Sequence, residues 1–222
     1  MSRSREIVRT ATVCTYLFRH GETPTLPDGK REDRLTPRGE RQAALAGMTH
    51  LKNLQVLGIL SSGTRRSTET IRTACTAAGM EVPGVEVVAA IGFSWIDDQV
   101  PPCDFYAIER RLHEEYGGSR RVPIYAWLEA YPHAQATRGR LTEFLHHRAK
   151  QEFMEWPLHS MINLVGGSHG PTAATAALNT RETMGLDFAD GIRYDVEVVR
   201  YDTDEIETKL VRSRVLTCPD CK

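Results

Sequence analysis

The chain has 222 residues, of which 41% are hydrophobic, 28 are basic and 29 are acidic. A chain of this length and composition can bury a hydrophobic core that needs neither disulfides nor a structural metal. Its balanced charge argues against a broad basic surface of the kind that attracts nucleic acid or anionic membrane.

The N-terminal part begins with a predicted strand, a loop and a predicted helix. Residues 11–18 are rich in β-branched and aromatic types and nearly uncharged, which is typical of a strand covered on both faces. After a charged loop, Thr36 and Pro37 match the N-cap and the first position of a helix.

The alternation of strand and helix then continues. Residues 56–60 predict a second strand, and residues 64–78 predict a helix that ends at Gly79. Residues 85–91 predict a third strand. This spacing favours a parallel sheet with helices on both faces.

Residues 94–157 break this rhythm, because they hold all three tryptophans and long charged stretches with weak helical patterning. We interpret them as an inserted, mainly helical cap. Residues 161–165 then predict a fourth strand, and an Ala-rich helix is expected from Pro171 to about Met184.

The C-terminal part predicts an antiparallel hairpin at a sheet edge, since residues 194–201 and 205–211 alternate apolar and polar types around a turn. Residues 1–222 are therefore predicted to form a single α/β domain. Its architecture is a three-layer α/β/α sandwich with a mostly parallel sheet, a helical cap insertion and the C-terminal hairpin.

Unusual residues follow three of the predicted strands. Arg19 and His20 follow the first strand, Arg66 follows the second, and His169 follows the fourth. In open α/β sheets, ligands bind beyond the carboxyl ends of the strands. These side chains are therefore expected to converge on one edge of the sheet.

The predicted helix near Thr64 begins with Arg65 and Arg66, although first turns favour acidic residues. This pattern indicates an anion at the helix N-terminus, and phosphate is held by such amides together with guanidinium groups. The alternative is that both arginines point into solvent.

His20 and His169 have two interpretations. A lone histidine at a strand end is usually a hydrogen-bonded structural residue, whereas two histidines beside two arginines favour phosphate chemistry. One imidazole could attack phosphorus while the other, protonated, stabilises the charged oxygens. The attacking His20 must then be neutral, with its second nitrogen donating to a backbone carbonyl.

Residues 16–23, Tyr-Leu-Phe-Arg-His-Gly-Glu-Thr, resemble the signature of the histidine phosphatase superfamily, whose fold is phosphoglycerate mutase-like. Three further blocks follow in that family's order: residues 35–43, then Ser61 and Ser62 with Arg66 and Thr70, and residues 168–170.

The resemblance implies a phosphatase in which His20 is the nucleophile and becomes phosphohistidine. It further implies that Arg19, Arg66 and His169 complete the phosphate pocket. Water would then hydrolyse the phosphohistidine, so the reaction needs no metal or other cofactor.

The resemblance also implies two substrate-binding residues. The backbone amide of Gly170 would donate to the phosphate, and Thr23 would contact the phosphate or the rest of the substrate. The expected partner is a small phosphorylated substrate.

The chain departs from the family at its general acid. The family has a glutamate just after the third strand, where residues 91–95 of this chain hold no carboxylate. Asp97 and Asp98 are the nearest acidic residues, and either could protonate the leaving oxygen if its pKa were raised. The alternative is a solvated turn before Pro101.

A second departure separates phosphatases from mutases. The family's mutases carry an Arg-His-Tyr-Gly stretch after that glutamate and an Asn where this chain has Leu26. A phosphatase is therefore favoured. The alternatives are a phosphoglycerate-type mutase and a catalytically weak member that binds phosphorylated ligands or a protein partner through its cap.

The cap carries two arginine pairs, residues 110–111 and 120–121. They could bind a second anionic group of the substrate, or they could belong to a solvated helix face paired with nearby glutamates.

The apolar runs and the cysteines of the sequence bear on the cellular compartment and on metal binding. No run approaches the ~18 apolar residues of a membrane span, and residues 1–10 lack an apolar signal segment. The five scattered cysteines do not fit a secreted disulfide framework. Cys218 and Cys221 match only half of a zinc motif. We expect a cytoplasmic protein without a metal site, and the oligomeric state stays open.

Overall fold

The structure is a computed structural model that describes residues 5–27, 31–92, 102–131 and 133–219. A sheet of six strands, in the order β3-β2-β4-β1-β5-β6, forms the centre of this described part. The strands are β1 (Ile7–Arg19), β2 (Val56–Ser61), β3 (Glu86–Val87), β4 (Met161–Ser168), β5 (Gly191–Tyr201) and β6 (Ile206–Leu216).

The helices lie on both sides of this sheet. They are α1 (Pro37–His50), α2 (Arg65–Ala77), α3 (Pro102–Tyr116), α4 (Ile124–Ala130), α5 (Ala134–Glu155) and α6 (Gly170–Ala174). The predicted N-cap of α1 is confirmed, because the Thr36 side chain accepts a hydrogen bond from the amide of Gly39 at 3.0 Å.

The pairing of the strands confirms a mostly parallel sheet with an antiparallel edge. Strand β4 pairs in parallel with both β1 and β2, and β3 extends the parallel part. Strands β5 and β6 form the predicted hairpin and pair antiparallel with each other, while β5 also pairs antiparallel with β1.

Strand β1 is buried on both faces and separates two hydrophobic cores. Val13 and Leu17 point to one core together with Leu141 and Leu145 of α5. Phe18 points to the opposite core, where α1 and α2 cover the sheet. Because successive side chains of a strand alternate between faces, this pattern produces the three layers.

The segment predicted as a cap contains α3, α4 and α5. Helix α5 packs directly on β1, β5 and β6, so it forms part of the helical layer on one face of the sheet. Helix α3 packs against α4 and the short 3-10 helix Ser119–Arg121. The division of the chain into one domain with an inserted cap stays a prediction.

Two predicted elements are shorter than expected. The third strand covers only Glu86–Val87, because it pairs only with the last two residues of β2, and a 3-10 helix follows at Ala89–Ile91.

The helix after His169 likewise ends at Ala174 and does not reach Met184. Beyond it, the carbonyls of Thr180 and Thr183 accept hydrogen bonds from residues 124 and 125. These hydrogen bonds between segments distant in sequence hold residues 180–183 against the start of α4.

Helices α1 and α2 pack so closely at Gly47 that one added methyl group there should destabilise the fold. A Cβ added at Gly47 would lie 1.9 Å from the carbonyl oxygen of Ala74. We expect Gly47→Ala to lower the free energy of unfolding by ~1–3 kcal/mol, since the two backbones must move apart. Urea unfolding at equilibrium measures this change.

Gly139 provides the matched control, because it lies inside α5 and nothing stands within 4 Å of an added Cβ. Gly139→Ala should raise the free energy of unfolding by about 0.5–1 kcal/mol through helix propensity. Equal effects of the two substitutions would contradict the close packing of α1 on α2.

Candidate active site

The pairing of β1 with β4 places the two predicted histidines side by side. Arg19 pairs with Ser168 in the parallel register, and the amide of His20 donates to the carbonyl of Ser168 at 3.0 Å. The rings of His20 and His169 lie 5.4 Å apart between centroids, at an interplanar angle of 72°. Both side chains are buried.

The hydrogen bonds of His20 determine its tautomer. Its Nδ1 lies 2.9 Å from the carbonyl oxygen of Gly21 and therefore donates a proton to it. Burial lowers the pKa of His20 well below its ordinary value, and the nearby His169, Arg66 and Arg19 lower it further. The ring is thus neutral and keeps a lone pair on Nε2.

His169 is held by a network of hydroxyl groups. Its Nε2 lies 3.1 Å from Oγ of Ser62, and the Ser62 hydroxyl donates to Oγ of Ser67 at 2.8 Å. Burial lowers the pKa of His169 well below its ordinary value, and the positive charges of Arg66 and Arg19 lower it further. Bound phosphate would offset those charges and favour the protonated form.

Arg19 lies against the backbone of Gly170. A Cβ on Gly170 would stand 3.0 Å from Nη1 of Arg19, so only glycine leaves room for the guanidinium. Nη1 donates to the carbonyl of Leu186 at 2.7 Å, and Nη2 lies 3.4 Å from a carboxylate oxygen of Glu109. Its buried Nε has no hydrogen-bond acceptor within the part of the chain that the structure describes.

The start of α2 differs from the expectation for a phosphate held by amides. The amides of Arg65 and Arg66 donate to the carboxylate of Asp33 at 3.0 and 3.1 Å. The anion at this helix end is therefore an aspartate of the same chain, so these two amides are already occupied. Arg65 pairs with Glu69 at 2.6 Å, whereas Arg66 lines the pocket.

The loop after β1 is fixed by contacts with both helices of that face. The amide of Gly21 donates to Oγ1 of Thr70 at 3.0 Å, and Thr70 donates to the carbonyl of Arg66 at 2.8 Å. A Cβ at Gly21 would meet the carbonyl of Gly39 at 2.4 Å, so the loop lies directly on the N-terminus of α1. These contacts position His20 and Arg66 relative to each other.

One pocket joins the four residues at the strand ends. Arg19, His20, Arg66 and His169 all line it, and Gly170 lines it beside them. We call it the phosphate pocket. Thr23 is buried but lies outside this lining, and its hydroxyl has no hydrogen-bond partner among the residues described.

The pocket also contains residues that the sequence did not single out for catalysis or substrate binding. They are Arg31, Phe105, Tyr106, Glu109 and Pro171. Glu109 is only 7% exposed, although it lies in a charged helical segment. The sequence contained one signal that Glu109 is buried. Glu109 lies on the same helical face as Phe105 and Leu112, and an apolar helical face packs against the core.

Asp97 and Asp98 fall outside the described residues. Of the cap arginines, Arg120 forms an ion pair with the buried Asp190 at 2.7 Å and also donates to the carbonyl of Cys218, which attaches the cap to the C-terminal tail.

Only one cysteine of the half zinc motif lies within the described ranges. Cys218 is buried and its thiol lies 3.5 Å from the carbonyl of Gln42, whereas Cys221 falls outside these ranges. Within them, no three His, Cys, Asp or Glu side chains gather as metal ligands would. None of the helices described combines the length and the apolarity required to cross a membrane.

The two buried imidazoles should titrate abnormally in the ligand-free protein. An exposed histidine is half protonated near pH ~6.5. At that pH we expect both rings to be neutral, with the proton of His20 on Nδ1. Long-range ¹H–¹⁵N NMR measures the tautomers and pKa values, and His20→Gln and His169→Gln assign the signals.

Inorganic phosphate should raise both pKa values, because a dianion stabilises an imidazolium. The urea-unfolded protein serves as the reference titration. This electrostatic description would be contradicted if both rings were half protonated at the same pH as in the urea-unfolded protein and if phosphate did not change their pKa values.

Solved structures show the same fold at low sequence identity. A phosphoglycerate mutase from Bacillus anthracis matches with a TM-score of 0.55 and 15% identity, over 91% of this chain and 93% of that one. Mycobacterial hydrolase 2 matches with a TM-score of 0.52 and 17% identity, over 94% of both chains. No curated protein has a sequence significantly similar to this one.

The sequence match to a family model covers more than half of the chain. The model of the histidine phosphatase superfamily (branch 1) matches residues 15–157, which include His20, Arg66 and the contacts that position them. The protein belongs to the histidine phosphatase superfamily.

Proposed function

We propose that the protein hydrolyses a small phosphate monoester through a phosphohistidine on His20. One observation carries this proposal: Nδ1 of His20 lies 2.9 Å from the carbonyl oxygen of Gly21, which leaves Nε2 as the basic nitrogen in a pocket lined by arginines. Burial lowers the pKa of His20, which favours the neutral ring. A neutral imidazole nitrogen is a nucleophile, and guanidinium groups bind phosphate oxygens through charge-assisted hydrogen bonds.

The first step transfers the phosphoryl group to the enzyme. The lone pair of Nε2 of His20 forms the N–P bond while the bond from phosphorus to the leaving oxygen breaks, and that oxygen takes up a proton. Arg19, Arg66 and a protonated His169 stabilise the negative charge on the other phosphate oxygens. The carbonyl of Gly21 stabilises the Nδ1 proton as the ring becomes positive.

The second step releases phosphate. Water attacks phosphorus, the N–P bond breaks with its electrons returning to Nε2, and the water proton passes to a base. Inorganic phosphate then leaves, and the neutral ring is restored. The backbone amide of Gly170 and the hydroxyl of Thr23 are proposed as additional donors to the substrate.

The leaving oxygen needs a proton donor, and three carboxyl groups are candidates. Asp97 and Asp98 follow the third strand, as the sequence suggested. Glu109 lines both the phosphate pocket and a neighbouring pocket that opens outward, which we call the outer pocket. A leaving group that extends from phosphorus into the outer pocket would pass the carboxyl group of Glu109.

Replacing the nucleophile tests the reaction itself. His20→Ala should reduce turnover of p-nitrophenyl phosphate by at least ~10³-fold, since the variant lacks the proposed nucleophile. His147→Ala, on the exposed face of α5, is the control and should keep full activity. Acid-labile, alkali-stable label should appear on the quenched wild-type enzyme and be absent from His20→Ala.

Three outcomes separate the alternatives. Full activity of His20→Ala would overturn the phosphohistidine mechanism. Binding of vanadate without any turnover would favour a catalytically weak member, and transfer of the phosphoryl group to a hydroxyl of the substrate in place of water would favour a mutase.

The leaving-group dependence identifies the proton donor. Loss of the donor should lower kcat/KM by about 10²–10⁴-fold for ethyl phosphate, whose alkoxide needs a proton, and little for p-nitrophenyl phosphate. We would compare Glu109→Gln, Asp97→Asn and Asp98→Asn. The control is Glu115→Gln, an exposed glutamate on the same helix as Glu109 that lines neither pocket. If no variant discriminates between the two substrates, none of these carboxyl groups is the donor.

A further inference from the structure

The phosphate pocket contains a third guanidinium group, that of Arg31. Arg31 lies in the loop between β1 and α1, where its backbone forms a bridge with Thr25. Its guanidinium carbon lies 5.0 Å from the ring centroid of Phe188, and that of Arg19 lies 4.7 Å from the same centroid. Arg31 is therefore held beside Arg19, on the side of the pocket towards α3.

No carboxylate of the described ranges forms an ion pair with Arg31, and the residue is partly buried. Burial lowers its pKa, while the charge of Glu109 raises it. A partly desolvated cation without a bonded anion is costly unless a ligand supplies the anion.

Glu109 explains why the site requires this extra charge. Its buried carboxylate lies 3.4 Å from Nη2 of Arg19 and offsets one of the two charges that Arg19 and Arg66 supply. Both histidines are neutral in the free protein. Above pH ~6 a phosphate monoester is a dianion. Before His169 takes up a proton, two arginines beside one carboxylate offer this dianion only one net positive charge.

We infer that Arg31 binds the phosphate group of the substrate as the third cation of the site, and so allows a dianion to bind beside the carboxylate of Glu109. In the ligand-free pocket, where His169 is not yet protonated, three guanidinium groups and one carboxylate leave two positive charges, which equal the charge of the incoming dianion. The inference deepens the proposed function, because it rests on the same phosphate pocket, but it does not depend on turnover.

An alternative role for Arg31 is recognition of an anionic leaving group. Arg31 also lines the outer pocket, together with Arg110 and Glu114. We favour the phosphate group, because Phe188 contacts Arg31, Arg19 and the nucleophile His20, whose ring centroid lies 6.0 Å from that of Phe188. The three cationic or nucleophilic groups therefore surround one aromatic side chain.

Calorimetric titration with inorganic phosphate at pH 7.5 tests the inference without requiring activity. Arg31→Gln should raise the Kd for phosphate by ~10-fold or more, as expected for loss of a charge-assisted hydrogen bond. Arg31→Lys should recover part of the affinity. Arg72→Gln removes an exposed arginine of α2 that lines neither pocket and should leave the Kd unchanged, and thermal unfolding checks that all variants fold.

A double substitution tests the charge balance directly. If Arg31 compensates for Glu109, then Glu109→Gln should restore much of the phosphate affinity that Arg31→Gln loses, and it should do so more strongly than it improves the wild type. Additive effects of the two substitutions would overturn the compensation.

Two substrates that differ by a carboxylate distinguish the two roles of Arg31. Arg31→Gln should lower kcat/KM equally for phosphoglycolate and ethyl phosphate. A loss confined to phosphoglycolate, or an unchanged Kd for phosphate, would overturn the inference. If wild type binds phosphate in an Arg31-dependent manner but has no turnover, the inference stands and only the proposed hydrolysis fails.

Discussion

The parallel register between β1 and β4 is the constraint on which the site depends. Arg19 pairs with Ser168, so each strand ends at the same level and the next residue of each is a histidine. A slip of one residue would turn every side chain of a strand to the opposite face and would separate the two rings. The hydrophobic residues that β1 sends alternately into two cores oppose such a slip, since either shift would expose or overpack them. Core packing thereby fixes the geometry of polar groups that make no contribution to the core.

The site concentrates positive charge in a chain whose overall charge is close to balanced. Arg19, Arg31 and Arg66 lie in one pocket with a single buried carboxylate, while the two histidines stay neutral. The guanidinium groups disfavour protonation of the two imidazoles and so lower their pKa values in the free protein. The same groups attract an anion, and a bound anion would raise those pKa values again. The cations that are proposed to bind phosphate therefore also keep the Nε2 lone pair of His20 available for attack.

Sequence patterns predicted those parts of the molecule that follow from local order along the chain. The strand ends carrying Arg19, His20 and His169 were recognisable because strand and helix alternate regularly, and Thr36 with Pro37 indicated the start of α1. The patterns failed where a distant segment supplies the partner. Asp33 occupies the amides of α2 from another loop, and the carbonyls after α6 are taken by the start of α4. Arg31 enters the pocket only through tertiary packing, and no local pattern distinguishes it from a solvated charge. For Glu109 the local signal, its place on the helical face of Phe105 and Leu112, predicts burial but not which pocket it enters.

The position of Glu109 on α3 links the chemistry to the least predictable part of the fold. Helix α3 supplies Phe105, Tyr106 and Glu109 to the pocket, so under the proposed function the same helix would set the shape of the leaving-group side and one of the charges beside the phosphate. A change in the packing of α3 would alter both together. Such coupling means that substitutions selected for a new leaving group also change the charge balance around the phosphate, unless Arg31 changes with them. Arg31 and Glu109 are thus expected to act as one unit, although they are far apart in sequence and no ion pair joins them in the structure described.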